Sequence, residues 1–338
     1  MRHDQRMNPH AQRRQAILVL GMHRSGTSAL TRVIALCGAG LPRHLMPASE
    51  NVNATGFWES QALVDFHDEV LAATGSTWSD VRHLPPAWFA GEAALKFHHR
   101  LGALLDIEYG DMPLIVVKDP RLCRLLPLWL PVLRERNITP RVVIPVRHPH
   151  EVAASLERRE GFDQARAIAL WQTHMLDAER DSRGLVRGFV AYNALLADWE
   201  TEIARLGDAI GIDLVATVDR DAVSRFLSAG LRHHVVGPGD AALPEWVAGV
   251  YRWMMAAVSG QEPPCGDLDG IAAAMAQANA YYGPVVAALE TELATRMTER
   301  QHWIDTAVDR YAIIEDLRRE IERLSAFQPD AAGVGSNS

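Results

Sequence analysis

The chain has 338 residues, 48% of them apolar and 22% charged, with a net charge of −8. That is globular composition, long enough for one large domain or a domain with an appendage, and the negative balance argues against non-specific nucleic-acid binding. Cys37, Cys123 and Cys265 are odd in number and widely separated, which points to a reducing compartment and inert core thiols rather than a disulfide framework.

Residues 1–15 are polar and read as a frayed arm. Arg13 and Arg14 precede an apolar run, but residues 16–20 make only a strand's length before His23 and Arg24, too short for a signal peptide. No run approaches a membrane-spanning length, so a soluble, cytoplasmic protein is expected.

Residues 16–20 read as a buried strand, followed by a helical pattern over 26–37. Further strands are predicted at 114–117, 142–146 and 188–192; Pro145 in the third suits a strand end or edge. Helical patterns follow at 122–136, 149–160, 163–181 and 194–206. Aliphatic runs separated by helices predict a three-layer α/β/α fold with a central parallel sheet. Residues 41–111 form a long insertion with turn signals at Pro42, Pro47, Gly56, Pro85 and Pro86, placed to border a ligand crevice. Residues 16–235 are thus one domain, 236–326 a helical C-terminal region and 327–338 a disordered tail. Within the helical region, turns are expected at Pro238-Gly239 and over 260–266. The pattern over 285–324 has an apolar register that slips, which fits a helical hairpin at least as well as a coiled coil able to join two copies of the chain.

The chemistry begins after the first strand. Gly21, Gly26, Thr27 and Ser28 nearly satisfy the phosphate-loop pattern G-x-x-x-x-G-K-[ST], with Thr27 in the lysine position and Arg24 three places earlier. Glycines let the backbone curl around an anion, the helix N-terminus adds positive potential, and Arg24 supplies charge. The plain alternative is a glycine turn between strand and helix. After the third strand come Arg147 and, eight residues later, Ser155, with Pro149 near the helix start. Helical side chains lean toward the N-terminus, so Ser155 faces back toward a group held by Arg147.

Arg24-Ser-Gly-Thr-Ser28 resembles the 5′-phosphosulfate loop of sulfotransferases that use 3′-phosphoadenosine 5′-phosphosulfate (PAPS), whose common form is Lys-Ser-Gly-Thr-Thr. Arg147 with Ser155 resembles that family's 3′-phosphate motif. The resemblance continues through Lys118-Asp-Pro-Arg121 and Tyr192 toward residues 226–234. It implies that Arg24, Ser25, Gly26, Thr27 and Ser28 hold the donor's 5′ end, with Arg24 beside the bridging oxygen. Arg147 and Ser155 would hold the 3′-phosphate, and Tyr192 lies along the same donor site. The family's C-terminal glycine-rich nucleotide loop is not evident, and Arg232 and His233 are the candidates to replace it.

Lys118 is the second candidate cation for the leaving oxygen. Glu59, in a stretch similar to segments of bacterial and carbohydrate-acting sulfotransferases, is the first candidate base. Burial beside Phe57 and Trp58 would raise its pKa. His83 is the second. The expected product is the spent bisphosphate (PAP), with no metal required. Trp58, Trp78 and Trp88 in the insertion would suit a carbohydrate acceptor, and a small metabolite hydroxyl is the alternative. Two other classes compete. In an NTP-dependent kinase, Lys118-Asp119 would imitate a magnesium-binding aspartate; in a non-catalytic nucleotide-binding protein, the C-terminal helices would serve assembly.

Overall fold

A computed structural model describes residues 14–47, 56–216, 218–227 and 242–326. The turn at Pro238-Gly239, most of the N-terminal arm, the 327–338 tail, and Arg232 with His233 lie outside the described residues. The chain divides into two compact units, Met1–Ala276 and Gln277–Ser338.

The first unit holds a sheet of four parallel strands: β1 (Gln15–Val19), β2 (Leu114–Lys118), β3 (Thr139–Val146) and β4 (Arg187–Ala191), in the order β2-β1-β3-β4. Alternation along each strand sends side chains to two separate cores. Ile17, Val19, Val116, Val143 and Val190 pack with α1 (Thr27–Leu36), α9 (Trp199–Ile210) and α10 (Arg220–Leu227). Leu18, Val117, Val142, Ile144 and Phe189 pack on the opposite face with α5 (Leu122–Glu135), α7 (Gln164–Asp181) and α11 (Glu245–Val258). Both faces are covered, which is why the strands read as continuous aliphatic runs rather than alternating ones. The fold is the three-layer α/β/α arrangement expected, with a helical C-terminal region.

Local details differ from the expectations in places, while Pro145 takes the strand-end position it suits, as the penultimate residue of β3, although that strand is interior. The backbone N–H of Leu20 reaches the Val143 carbonyl at 2.9 Å as the last rung between β1 and β3, so the edge facing Pro145 has no acceptor waiting for the missing donor. The pattern over 194–206 is two helices, α8 (Tyr192–Ala197) and α9, because Asp198 leaves helical geometry and its carboxylate caps the Thr201 N–H at 3.2 Å. The insertion is largely helical, with α2 (Gln61–Ala73), α3 (Pro86–Phe89) and α4 (Glu92–Tyr109), and Pro86 opens α3 at a position where its missing N–H costs nothing. Beyond the break at residues 260–265, α12 (Gly266–Ser325) is one continuous helix rather than a hairpin. No Gly or Pro follows Pro284 to turn it, and a slip in an apolar register leaves backbone hydrogen bonding intact.

Two buried cations lock the insertion down. Arg124 on α5 donates to the backbone carbonyls of Asp80 at 2.9 Å, Thr77 at 3.3 Å and Arg82, while its Nε lies 3.5 Å from the Asp177 carboxylate. Arg121, just before α5, makes a two-pronged contact with Asp68 on α2 at 2.6 and 2.9 Å. Cys37 and Cys123 are buried and free, and burial pushes the Cys37 thiol up to about 12, as expected of an inert core residue.

His174 on α7 is wholly buried, with Nδ1 2.8 Å from the Leu170 carbonyl. Burial, then the nearby Arg124 guanidinium, lowers its pKa from 6.5 to about 4. The native state therefore binds fewer protons here than the unfolded chain between those values, so stability falls as pH drops through that window. The loss from this residue reaches about 3 kcal/mol. Urea unfolding at a series of pH values is expected to show a shallower loss for His174→Gln than for the parent.

Candidate functional site

The carboxyl ends of the four strands lie along one edge of the sheet, and each strand delivers a predicted site residue there. The loop after β1 carries Arg24 to Ser28, β2 ends on Lys118, and Arg147 and Tyr192 directly follow β3 and β4. The chain leaves β1 toward β2 and leaves β3 toward β4, so a topological switch point falls between β1 and β3, where α/β sheets open a ligand crevice.

The loop after β1 is held in a tight curl. Arg24 takes φ 68° and Gly26 takes φ 89°, both left-handed, and the Ser25 N–H returns to the Met22 carbonyl at 3.1 Å. A β-carbon on Gly26 would enter the van der Waals surface of the Tyr192 ring, and one on Gly21 would sit 2.9 Å from the Thr27 methyl. Close approach therefore dictates both glycines, and at Gly26 the left-handed backbone does so as well. Among non-glycine described residues only Arg24, Trp58 and Asn137 have positive φ, and Arg24 stands in this loop. Ser25 is fully buried and its hydroxyl has no hydrogen-bond partner among the described residues, which fits a loop built to receive an anion.

The two sequence signatures meet. Arg24 Nε donates to Ser155 Oγ at 2.8 Å, and Arg147 Nη1 donates to the Arg24 carbonyl at 3.0 Å. Arg147 also pairs with Glu151 at 2.9 Å, and its guanidinium lies 4.7 Å from the centre of the Tyr192 ring. Burial, then the charges of Arg159 and Arg147, with Arg158 adding to them, lowers the Arg24 pKa. Four guanidiniums thus gather at one place, and two of them have carboxylate partners, Arg147 with Glu151 and Arg159 with Glu160 at 2.7 Å. Arg158 and Arg159 gave no sequence signal, since two arginines at a helix end read as ordinary surface charge.

On the other flank, Lys118 Nζ donates to Ser28 Oγ at 3.0 Å, to the Phe57 carbonyl at 3.1 Å and to the Glu59 carboxylate. Lys118 and Glu59 are both buried. Burial raises the Glu59 pKa above the usual carboxylate range, against the pull of Lys118. Arg24 is therefore placed with Ser155 and Arg147, whereas Lys118 is the cation that touches Glu59.

A buried network stands behind Lys118. Asp119 accepts from His67 Nδ1 at 2.7 Å and from the Arg121 N–H and Nη1 at 2.9 and 3.1 Å. Trp129 Nε1 donates to His67 Nε2 at 2.9 Å, so the imidazole proton sits on Nδ1, facing Asp119. Burial opposes ionisation of Asp119, but Arg121 and His67 outweigh it and hold the carboxyl far below its usual range. Both oxygens are committed to internal donors, so Asp119 acts here as a buried anchor for the strand end. His67, which sequence reasoning missed, sits on an amphipathic helix where a buried histidine looks like any core position.

The remaining candidates lie apart from these contacts. His83 Nδ1 is 3.5 Å from Asp177, in the cluster around Arg124. Trp78 packs on Phe162 and on His23, whose pKa burial and Arg121 push well down. Trp88 packs on Phe89 and Phe97. Trp58 has the Arg32 guanidinium 4.3 Å above its ring and Phe226 at its edge. Among the described residues no group of three or more His, Cys, Asp or Glu is gathered as a metal site, and no helix is long and apolar enough to cross a membrane.

No protein-family profile matches the chain, and no curated protein sequence matches it. Among solved structures it is similar to the sulfotransferase domain from the Synechococcus PCC 7002 olefin synthase. That match has 18% identity and a TM-score of 0.43 over 76% of this chain and 99% of that one. It is also similar to the sulfotransferase domain from the curacin biosynthetic pathway, at 19% identity and a TM-score of 0.34 over 60% of this chain and 77% of that one.

Gly26→Ala is expected to destabilise the protein by roughly 1–3 kcal/mol, since a left-handed backbone and the Tyr192 ring both oppose a β-carbon. Urea unfolding of the variant beside the parent checks this.

Proposed function

We propose that the protein is a PAPS-dependent sulfotransferase acting on an acceptor hydroxyl. The observation that carries this reading is the position of Lys118: one buried ammonium touches both the phosphate-type loop, at Ser28, and a buried carboxylate, Glu59. A cation between an anion-binding loop and a base is the arrangement a group transfer from a phosphate oxygen needs. The unpartnered Ser25 hydroxyl and the surrounding guanidiniums fit the donor's phosphates.

In this reading, the amides and hydroxyls of residues 25–28 hold the 5′ end of the donor, with Tyr192 closing over Gly26. Arg147, Ser155 and Arg24 hold the 3′-phosphate side. The bound donor supplies an electrophilic sulfuryl group. The acceptor oxygen bonds to sulfur as the sulfur–oxygen bond to the phosphate breaks, the hydroxyl proton passes to Glu59, and the electron pair stays on the phosphate oxygen beside Lys118. The products are a sulfate ester and adenosine 3′,5′-bisphosphate. Glu59 is preferred over His83 as the base because it shares Lys118 with the loop, whereas His83 faces Asp177. The acceptor is a carbohydrate or a small metabolite hydroxyl, admitted beside the 56–59 stretch.

Calorimetry with adenosine 3′,5′-bisphosphate, beside ATP with magnesium, tests the donor site. Tight binding of the bisphosphate, weak binding of ATP, and a loss of at least ten-fold in Arg147→Ala are expected. Preference for ATP, indifferent to Arg147, would sink the reading. In turnover assays, Glu59→Gln should lower kcat by about 10²–10⁴ with bisphosphate affinity nearly unchanged. Because the carboxylate must be ionised to accept a proton, parent activity should fall as pH drops through a pKa above the ordinary carboxylate range.

A further inference from the structure

The second unit consists, among its described residues, of α12 beyond residue 276, and nearly every side chain there is exposed. Its large apolar residues form a stripe. Tyr282, Val286, Leu289 and Leu293 open it at spacings of four, three and four. Met297, Gln301, Ile304, Val308 and Tyr311 continue it at four, three, four and three, and Ile314, Leu317, Ile321 and Leu324 finish it at three, four and three. One residue is gained before Met297 and given back after Tyr311, so 42 residues are covered in twelve steps, a mean of 3.5.

That mean is the repeat of a two-helix seam rather than of a helix lying on a globular core, for which 3.6 and a broader face are expected. The stripe runs for roughly 65 Å at the usual rise, the length of about six heptads, as three heptad runs joined by one-residue shifts before Met297 and after Tyr311. An exposed apolar stripe of that length marks an interaction surface, and a 3.5-residue repeat suits a helix.

Charges beside the seam identify the partner. In a parallel pair in register, each g position faces the e position five residues later on the other helix. Arg300 is a g position and Asp305 is the matching e position, so each would meet its opposite charge, twice by symmetry. Five residues apart on one helix they do not face each other. Every other such pairing brings at most one charge: Val285 with Glu290, Ala307 with Ala312, Ile313 with Arg318, and Glu320 with Ser325, while Glu292 stands at the shift of register before Met297. The same seam therefore presents no like-charge contact to its own copy. Gln301, the single polar residue in the stripe, falls at an a position, where a polar side chain fixes register and strand number.

We propose that residues 282–324 dock a second copy of this chain as a parallel, in-register two-stranded coiled coil. Sedimentation equilibrium on the full-length protein tests this, with Arg300→Asp, Asp305→Arg and the double variant, all surface changes that leave the first unit untouched. The parent is expected to be a dimer at micromolar concentration. Each single change should weaken it roughly ten-fold by setting like charges opposite, and the double variant should restore it. Val308→Cys should cross-link to its own copy under mild oxidation where the parent does not. A monomeric parent, an assembly larger than two, a dimer indifferent to the charge variants, or no cross-link at residue 308 would each overturn the proposal.

Discussion

One buried ammonium ties together three segments that lie far apart in the sequence. Lys118 ends a strand in the sheet, Ser28 opens the first helix, and Glu59 comes from the long insertion; the contacts of Lys118 hold all three. A buried cation is costly unless its partners satisfy it, so the insertion cannot leave without exposing an uncompensated charge. Its own position is secured one residue later, where Asp119 is held by His67 and Arg121. The order of dependence runs from the apolar core through Trp129 and His67 to Asp119, and from there to the strand end. Precision at the site rests on that hidden polar stack more than on any surface group.

The opposite flank works by concentration of charge. Burial lowers the Arg24 pKa first and the charges of Arg159, Arg147 and Arg158 lower it further, although Arg147 and Arg159 each keep a carboxylate partner, Glu151 and Glu160. Proteins that gather like charges in a half-buried crevice forgo stability in exchange for affinity toward the opposite charge. The left-handed backbone at Arg24 belongs to the same exchange, since its carbonyl is turned to meet Arg147.

Much of this was legible in the sequence because the local signals are strong. The aliphatic runs predict all four strands to within a few residues, and the spacing of Arg147 and Ser155 anticipates their meeting with the loop after β1. Pro145 suits a strand end or an edge, and which of the two it occupies is not legible, because the early end of β1 is invisible in the sequence of β3. Asp198 looked like one more polar helix residue, although its side chain caps the next helix. His67 and Arg124 were illegible for a different reason: their partners are 52 and 62 residues away for the first and backbone carbonyls 42 to 47 residues away for the second, and no short pattern records such pairings. The contacts of Arg24 and Lys118 also needed three dimensions, because both are basic residues on the carboxyl side of a strand and only side-chain direction separates them.

The unequal strand lengths have a consequence for the shape of the site. β1 and β2 stop level with one another, Val19 beside Lys118, whereas β3 runs on from Val143, the partner of Val19, to Val146 beside the last residue of β4. The carboxyl edge of the sheet is therefore a step, with a low tread over β1 and β2 and a riser about 10 Å tall on the β3 side. The loop after β1 lies on the tread, and Arg147 and Tyr192 overhang it from the top of the riser. Backbone length, which no side-chain substitution alters, sets the depth of that recess.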